Sequence, residues 1–302
     1  MKVLVTGGAG FIGANLVRLL LEEGHQVRVL DSLVTGRREY LKGLDLEIEE
    51  GDVRDTDVLA HAAAGMDGVV HLAAQSAVPS SVQDPRHDCD LNIIGTLNVL
   101  EACRETGVSR FVFASSSAVL GRQPPPTRED QAPLPISPYG ASKLAGEGYC
   151  LAYHGTYGMG TVALRFANAY GPYSAHTVGV VARFFSDIAT KGEVTIDGDG
   201  CQTRDLVYVG DLCRAIELAL ESSVGGEVVQ IATGVETSVL ELAAMVRELV
   251  GDRVRTAHAP ERVGDIRRSW SSAEKAQRLL GWTADTTLGD GLRRTYEWYS
   301  AA

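Results

Sequence analysis

The 302-residue chain lacks most signatures of secreted, metal-binding and membrane proteins. Its five cysteines are odd in number and widely spaced, without a Cys-x-x-Cys pair, which disfavours a disulfide scaffold or a zinc ribbon. None of the seven histidines stands in a His-x-x-x-His pattern, so we expect no metal. No apolar run reaches about 18 residues, and the apolar start is too short for a signal peptide. We therefore expect a reduced, soluble, cytoplasmic protein.

The charge balance restricts the partners. The chain has 28 basic and 39 acidic residues, a net charge of −11. This excess of negative charge disfavours nucleic acid and anionic membranes as partners. An anionic small ligand remains compatible, because local arginines can bind one. With 45% hydrophobic and 22% charged residues, the chain fits one large or two modest globular domains.

The N-terminal segment predicts a dinucleotide site. Lys2–Thr6 is typical of a buried strand, residues 14–23 carry apolar side chains at helical spacing, and residues 26–30 predict a second strand. A glycine-rich turn lies between the first strand and the helix. Gly10 allows the backbone to approach a pyrophosphate, and Gly13 allows close helix–strand packing. The helix N-terminus supplies amides and partial positive charge for the phosphates.

An acidic residue follows the second strand. Asp31 stands where a carboxylate can accept a hydrogen bond from an adenosine ribose hydroxyl, and its charge would oppose a 2′-phosphate. Arg37 and Arg38 on the next loop could instead welcome that phosphate. We interpret them as solvated or close to the cofactor's phosphates, and we predict NAD rather than NADP.

The alternation of strands and helices continues through the first half of the chain. It predicts a doubly wound parallel α/β sheet of the Rossmann type. Further strands are predicted at 46–50, 68–72, 110–115 and 159–166, and helices at 55–63, 91–106 and 139–156. Ligands of such sheets bind beyond the carboxyl ends of the strands. Asp52, Ala73 and Ser116 all fall at such ends and should therefore converge on one crevice.

The pattern breaks into shorter elements after Asn168. Helices are predicted at 180–190, 211–220, 238–250 and 288–298, with a short strand at 194–196. We interpret this region as a smaller, partly interleaved lobe that caps the crevice. The expected division is a cofactor domain at 1–167, rejoined by 205–232, and a substrate lobe at 168–204 and 233–302.

Tyr139 and Lys143 stand four residues apart on a predicted helix. Ser137 is a suitable N-cap and Pro138 suits the first turn, so both side chains should share one helix face. An ammonium beside a phenol favours the phenolate, and a strand-end serine can share a proton with it. Alone, the spacing is also typical of a surface pair. The convergence of strand ends nearby favours a proton-transfer device.

These residues together resemble the extended short-chain dehydrogenase/reductase family, in its NAD-dependent sugar epimerase/dehydratase branch, and are most similar to the UDP-galactose 4-epimerases. The resemblance covers nearly the whole chain. It rests on Thr6–Gly13, Asp31, Gly51-Asp52-Val53, His71–Ala74, Asn92 with Gly95-Thr96, Ser115–Ser117, Tyr139-x-x-x-Lys143, Asn168, Gly198–Asp205 and Arg262–Asp265.

The resemblance implies a function for each group of residues. Ser116, Tyr139 and Lys143 are the implied catalytic residues; Ser116 is chosen because it precedes Val119-Leu120-Gly121 by three positions, where Leu120 replaces the family's tyrosine. The implied cofactor-binding residues are Gly7, Gly10, Phe11, Ile12, Gly13, Asp31, Ser32, Gly36, Asp52, Val53, Leu72, Ala73, Ala74, Gln75, Asn92, Ala114, Tyr139, Lys143 and Phe166. The implied UDP-sugar contacts are Ser76, Ser116, Ser117, Asn168, Val180, Val181, Arg204, Arg262, Asp265 and Ser269.

The implied reaction is C4 epimerisation of a UDP-hexose. Tyr139 would take the proton of the 4-hydroxyl while hydride moves to NAD⁺. Some family members narrow the sugar pocket with a tyrosine where this chain has Ser269, so UDP-GlcNAc and UDP-GalNAc should be tolerated beside UDP-Glc and UDP-Gal. Ser117-Ala118 offers no carboxylate after Ser116, which disfavours dehydration and decarboxylation.

Two other functions stay open. A UDP-glucuronate 4-epimerase or decarboxylase would need a basic side chain for the C6 carboxylate, and Arg183, Arg267 or His176 could serve. A non-catalytic NAD-binding protein of the same fold is the other.

The resemblance also implies a homodimer through the helices at 91–106 and 139–156, where Gly146 and Gly148 favour close helix packing.

Overall fold

The computed structural model describes residues 1–251, 254–261 and 266–301. Its strands are β1 Lys2–Thr6, β2 Gln26–Asp31, β3 Glu47–Glu50, β4 Gly68–His71, β5 Arg110–Ser116, β6 Gly160–Phe166, β7 Asn168–Tyr170, β8 Glu193–Asp197, β9 Thr203–Arg204, β10 Leu206–Tyr208, β11 Glu227–Ile231, β12 Thr237–Ser238 and β13 Arg255–Ala259. Its helices are α1 Phe11–Glu22, α2 Thr56–Ala63, α3 Val78–Gln83, α4 Pro85–Cys89, α5 Gly95–Thr106, α6 Pro138–Tyr157, α7 Val180–Lys191, α8 Val209–Glu221, α9 Val239–Val250, α10 Glu274–Leu280 and α11 Leu288–Ala301.

A parallel sheet of seven strands forms the centre of the described structure, in the order β11-β6-β5-β4-β1-β2-β3. The predicted doubly wound parallel sheet is therefore confirmed. The chain starts at β1, runs outward to β3 and returns on the other side at β4. The order reverses between β1 and β4, which is the switch point where such sheets bind ligands.

Side-chain alternation along the strands produces two core layers. Val3 and Val5 of β1 pack into the layer that holds α1 and α8, whereas Leu4 faces the layer that holds α2 and α5. A third core lies among α7, β8, α9 and α11 and includes Phe184 and Leu292. None of the described helices is long and apolar enough to cross a membrane.

The helix that carries Tyr139 begins as predicted. Ser137 caps α6 by accepting a hydrogen bond from the Gly140 amide at 3.1 Å, and Pro138 occupies the first turn. The left-handed Gly158, with φ of +69°, ends the helix. Tyr139 and Lys143 thereby stand on successive turns of one rigid element.

The predicted helix at 91–106 differs from the observed structure. Helical backbone starts earlier, at α4, because Asp84 caps the His87 amide and Pro85 suits the first turn. A π-helical turn, Asp90–Ile94, then joins α4 to α5. Such turns often occur at functional sites, and this one carries Asn92.

Candidate active site

A cavity of about 590 Å³ lies at the carboxyl edge of the main sheet. This volume is typical of small-molecule sites. Its wall comes from the ends of β1, β2, β4, β5 and β6, so the predicted convergence is observed. The sequence-predicted residues that line it are Gly7, Gly10, Phe11, Ile12, Gly13, Asp31, Ser32, Gly36, Asp52, Val53, Leu72, Ala73, Ala74, Gln75, Ser76, Ala114, Tyr139, Lys143 and Phe166.

The glycine turn lets three backbone segments meet closely. Gly7 has a φ of +70°, and a Cβ there would lie 2.7 Å from the Ala73 nitrogen. A Cβ at Gly13 would lie 2.3 Å from the Gly7 carbonyl oxygen. Gly10 caps α1, whose first turn carries no acidic side chain. The first amides of α1 thus border the cavity without a competing carboxylate, an arrangement that fits the pyrophosphate of a dinucleotide.

Asp31 is held by the backbone around it. Its two carboxylate oxygens accept hydrogen bonds from the amides of Ala9 and Leu33, both at 2.9 Å. The loop closes over the carboxylate, since a Cβ at Gly36 would lie 2.5 Å from Asp31 Oδ1. A carboxylate retains acceptor sites after two such bonds, so Asp31 fits the ribose hydroxyls of NAD, whereas a 2′-phosphate would meet its negative charge.

The two arginines that could favour NADP point elsewhere. Arg37 pairs with Glu39 and Arg38 with Glu50, each at 3.3 Å, and all four side chains are largely exposed. Neither arginine lines the cavity. Their arrangement agrees with the interpretation of solvated residues and removes the argument for NADP.

Tyr139 and Lys143 line the cavity, and Ser116 lies at the end of β5, just outside the lining. Lys143 is 3% exposed and donates a hydrogen bond to the Ala114 carbonyl at 2.8 Å. Its Nζ lies 5.9 Å from the centre of the Tyr139 ring and 4.9 Å from that of Phe113. Ser116 ends β5, where its Oγ accepts from the Ala118 amide. Ser116 also acts on the Tyr139 phenol and lowers its pKa.

The protein's own groups do not produce the expected phenolate. Burial raises the pKa of Tyr139 to about 12, the hydrogen bond from Ser116 opposes this rise, and the charge of Asp88 adds to it. Burial lowers the pKa of Lys143 to about 8, while Asp88 acts in the opposite direction. The phenolate was expected from Lys143 and the cationic nicotinamide together, so for the complete site it stays a prediction.

The positions of Asn92, Ser115 and Ser117 differ from those of the other predicted residues. Asn92 does not line the cavity: it is buried behind Gln75, accepting from the Gln75 amide at 2.8 Å and donating to its carbonyl at 3.0 Å. Ser115 lines the cavity, and its hydroxyl donates a hydrogen bond to Glu147 at 2.5 Å. Ser117 starts a 3₁₀ turn outside the cavity wall.

The predicted sugar contacts of the second lobe lie apart from the cavity wall. Asn168 starts β7, and its side chain donates to the Asp205 carbonyl at 3.2 Å. Val180 and Val181 start α7. The Val181 side chain is buried in the third core, so a ligand contact through that side chain is wrong; only the backbone there can reach a ligand.

Arg204 is engaged within the protein. Its guanidinium donates to the carbonyls of Thr203 and Ile266 at 2.7 and 2.8 Å. The Ser269 amide lies 3.4 Å from Thr203 Oγ1, so both predicted contacts belong to one half-buried patch beside β9. The predicted residues Arg262 and Asp265 lie outside the described residues.

Several lining residues are not among the predicted cofactor and UDP-sugar contacts. His176, Thr177 and Val178 precede α7 and border the cavity near Asp31. Burial lowers the pKa of His176, and its ring lies 5.9 Å from that of Tyr40. The other lining residues outside the predicted contacts are Leu30, Val34, Thr35, Gly51, Arg54, Ala77, Ser80, His87, Leu91 and Ser115. Leu30 and Ser115 lie on strands of the main sheet, and Ser80 and His87 lie on short helices, so secondary structure alone does not identify the lining residues.

Arg54 fixes Asp52, one of the predicted cofactor-binding residues. Its guanidinium binds Asp52 at 2.7 Å and Asp90 at 2.9 Å. These contacts lower the pKa of Asp52. The spacing of Asp52 and Arg54, two residues apart after β3, was the available signal for this pair.

One group outside the cavity has the geometry of metal ligands. His25, Glu217 and Glu221 bring their ligand atoms within 4.8 Å of one another. Spacing along the chain does not show this group, because His25 and α8 are distant in sequence. Glu217 already pairs with Arg214, and ion pairing explains the arrangement.

Comparison with known proteins agrees with this geometry. The model of the NAD dependent epimerase/dehydratase family matches residues 3–232. The UDP-glucose 4-epimerase of Mycolicibacterium smegmatis is 39% identical over 308 residues, covering 99% of this chain and 98% of the relative.

Solved structures are similar over their full length. The UDP-glucose 4-epimerase of Thermotoga maritima, with UDP-glucose, has a TM-score of 0.95 and 38% identity, covering 100% of this chain and 99% of the other. The UDP-glucose 4-epimerase of Thermus thermophilus, in complex with NAD, has a TM-score of 0.93 and 40% identity, covering 100% of both chains. The chain belongs to the NAD-dependent epimerase/dehydratase family.

Proposed function

We propose that the protein interconverts UDP-glucose and UDP-galactose by NAD-dependent epimerisation at C4, through a transient 4-keto sugar. The observation that carries the proposal is one cavity that is lined by Tyr139 and Lys143 together with Asp31 and the glycine turn, with Ser116 at the adjacent end of β5. Full-length similarity to UDP-glucose 4-epimerases supports the choice of substrate.

The protein's own residues accept the proton of the sugar hydroxyl and orient the reacting groups. The glycine turn and Asp31 would hold NAD⁺, which when bound would supply hydride transfer from and to C4 of the sugar. Tyr139 takes the proton of the sugar 4-hydroxyl, and Ser116, which favours ionisation of that phenol, orients or relays the proton. Lys143 lies on the next turn of the same helix and contributes positive charge. Because the protein alone raises the Tyr139 pKa, the cationic nicotinamide ring must contribute to its deprotonation.

Tyr139→Phe tests the assignment. We expect turnover to fall by about 10²–10⁴-fold, the usual contribution of general acid–base catalysis, with NAD still bound. Tyr157→Phe is the matched control, since it removes one hydroxyl from an exposed position of the same helix. Product formation is measured by separating the UDP-sugars, and bound NAD by release on denaturation. Turnover of Tyr139→Phe close to that of the control would refute the assignment.

We propose that acetamido sugars are also accepted. Ser269 is half-buried beside β9 and has a small side chain, which leaves room for a 2-acetamido group. UDP-Glc, UDP-GlcNAc and UDP-GlcA are incubated separately with the protein. Turnover of the first two and not the third is expected.

The side chains considered for a glucuronate carboxylate are committed elsewhere. Arg183 pairs with Asp187 and Asp197. Arg267 pairs with Asp199 at 2.6 Å and is exposed. His176 lies at the Asp31 end of the cavity, away from Tyr139. The geometry therefore favours a neutral hexose.

We propose two lobes with the limits expected from the sequence, 1–167 with 205–232 and 168–204 with 233–302. In support, β11 pairs with β6 in the main sheet, whereas α7, β8 and α9 share a separate core. We also propose a homodimer through α5 and α6. Ile94, Leu151 and Tyr157 expose apolar surface there, and a Cβ at Gly148 would meet open space.

The dimer is tested by light scattering of the purified protein. Leu151→Glu is expected to give the mass of one chain, because a charge would be buried in the interface. An unchanged dimer mass in that variant would place the interface elsewhere.

We also propose a cytoplasmic location. All five cysteines are free, with Cys89 and Cys201 exposed, which supports this proposal.

A further inference from the structure

Asp88 is a buried acidic residue directly behind the proposed catalytic residues. It lies on α4, which packs against α6, and its side chain is 1% exposed. An ionised carboxylate is costly to bury unless it is hydrogen-bonded or paired with opposite charge. Burial raises the pKa of the Asp88 carboxyl, and Ser142, Lys143 and His87 oppose that rise, so its ionised form depends on these partners.

A hydrogen-bond network connects Asp88 with the cavity wall. Asn92 stands four residues later, on the π-helical turn, and its Nδ2 donates to Asp88 Oδ1 at 3.0 Å. The same amide holds the backbone of Gln75, which lines the cavity. The network thus fixes one edge of the site to α4.

The network also reaches the helix of Tyr139 and Lys143. Asn92 Nδ2 lies 3.2 Å from Ser142 Oγ, and Ser142 donates to the Tyr139 carbonyl at 3.0 Å. Ser142 also lowers the pKa of Asp88. Through Ser142, Asp88 is therefore linked to the helix turn that holds both Tyr139 and Lys143 of the proposed catalytic set.

The charges around Asp88 complement one another. Lys143, from α6, is almost fully buried and hydrogen-bonds one carbonyl, so its ammonium lacks other strong compensation among the described residues. The charge of Asp88 stabilises that ammonium and opposes ionisation of Tyr139. The other titratable groups that act on this set are His87, beside Asp88 on α4, and Cys150, on α6. Neutral His71 lies behind Lys143 on β4.

We propose that Asp88 is a positioning residue whose buried negative charge keeps Lys143 in its ammonium form and, through Asn92 and Ser142, holds the Tyr139 helix against the cavity wall. This inference rests on the proposed functions of Tyr139 and Lys143. It assigns Asp88 no contact with substrate.

The pH profile of kcat tests the inference. In Asp88→Asn, the loss of negative charge should lower the pKa of both Lys143 and Tyr139. Both limbs of the bell-shaped profile should therefore move to lower pH, by about one unit. A purely structural disturbance would lower kcat without moving both limbs in the same direction. Asp88→Glu, which keeps the charge, should return both limbs to within about 0.3 unit of their original positions.

Further variants distinguish a failure of the inference about Asp88 from a failure of the proposed function. Glu105→Gln removes one negative charge from an exposed position of α5 and should leave the profile unchanged. If Asp88→Asn does not fold, Asp88→Ser supplies a smaller neutral acceptor with the same expected shifts. Unmoved limbs in a folded, NAD-bound neutral variant overturn the inference. Active Tyr139→Phe and Lys143→Met variants would instead overturn the proposed function, whatever Asp88 does.

Discussion

The buried ion pair behind Ser115 permits a quantitative prediction. Arg165 binds Glu147 through two parallel hydrogen bonds of 2.8 Å, and the side chains are 4% and 3% exposed. In Glu147→Ala the guanidinium remains buried without its counter-charge, and Ser115 loses its acceptor. Breaking one partner of a buried pair costs about 3–5 kcal/mol. We therefore expect the free energy of unfolding to fall by that amount.

The corresponding shift in melting temperature follows from chain length. The entropy of unfolding is about 2.1 cal/mol/K per residue near the transition. For 302 residues this amounts to about 0.6 kcal/mol/K. A loss of about 3–5 kcal/mol then lowers the melting temperature by about 5–8 °C.

Calorimetry and urea unfolding at a fixed NAD concentration measure these quantities. Glu50→Ala is the control, since the Arg38–Glu50 pair is largely exposed and contributes at most about 1 kcal/mol. The double variant Glu147→Leu with Arg165→Leu removes both charges and should recover most of the loss. If Glu147→Ala is no less stable than Glu50→Ala, the reasoning about buried charge is refuted.

Three further predictions concern the active site. Gly13→Ala should abolish retention of NAD during purification, because its Cβ would lie 2.3 Å from the Gly7 carbonyl oxygen; NAD content equal to the original protein's would contradict this. Because the Lys143 pKa is about 8 and its ammonium is the active form, kcat should decline as the pH rises above about 8, and a profile flat to about pH 10 would exclude that dependence. Ser269→Tyr should reduce kcat/KM for UDP-GlcNAc by about tenfold or more and leave UDP-Glc within about threefold; equal losses for both sugars would show that position 269 does not select between them.

The cofactor side of the cavity could be predicted because each motif lies at the end of a strand. The glycine turn follows β1 and Asp31 ends β2, so the topology of the sheet alone brings them together. A parallel α/β pattern determines which strand ends share an edge. The local motifs and the topology of the sheet therefore predict the same positions for the cofactor-binding residues.

The sugar side could not be predicted in the same way. Arg204 and Ser269 come from segments that are distant in sequence and meet beside β9 only through long-range pairing. His176 borders the cavity from an irregular loop, for which periodicity gives no information. Asp88 was missed because a lone acid in a five-residue helix is typical of solvent-exposed surface until its burial is known.

The surroundings of Gly146 differ from those expected from the sequence. The sequence favoured packing of Gly146 against another helix, but a Cβ there would lie 2.4 Å from the Phe113 ring of β5. Phe113 stacks on His71 at 5.9 Å between ring centres and lies 4.9 Å from Lys143 Nζ, so it has little freedom to move.

Gly146→Ala should therefore lower the free energy of unfolding by about 1–3 kcal/mol, the usual cost of overpacking, and should reduce kcat because the displaced ring disturbs Lys143. Gly155→Ala, on the same helix with open space around its Cβ, should instead stabilise the protein by about 0.5–1 kcal/mol. Calorimetry of both variants measures the difference. Gly146→Ala at least as stable as Gly155→Ala would mean that α6 can shift away from the sheet, and the rigid placement of Tyr139 and Lys143 would then be wrong.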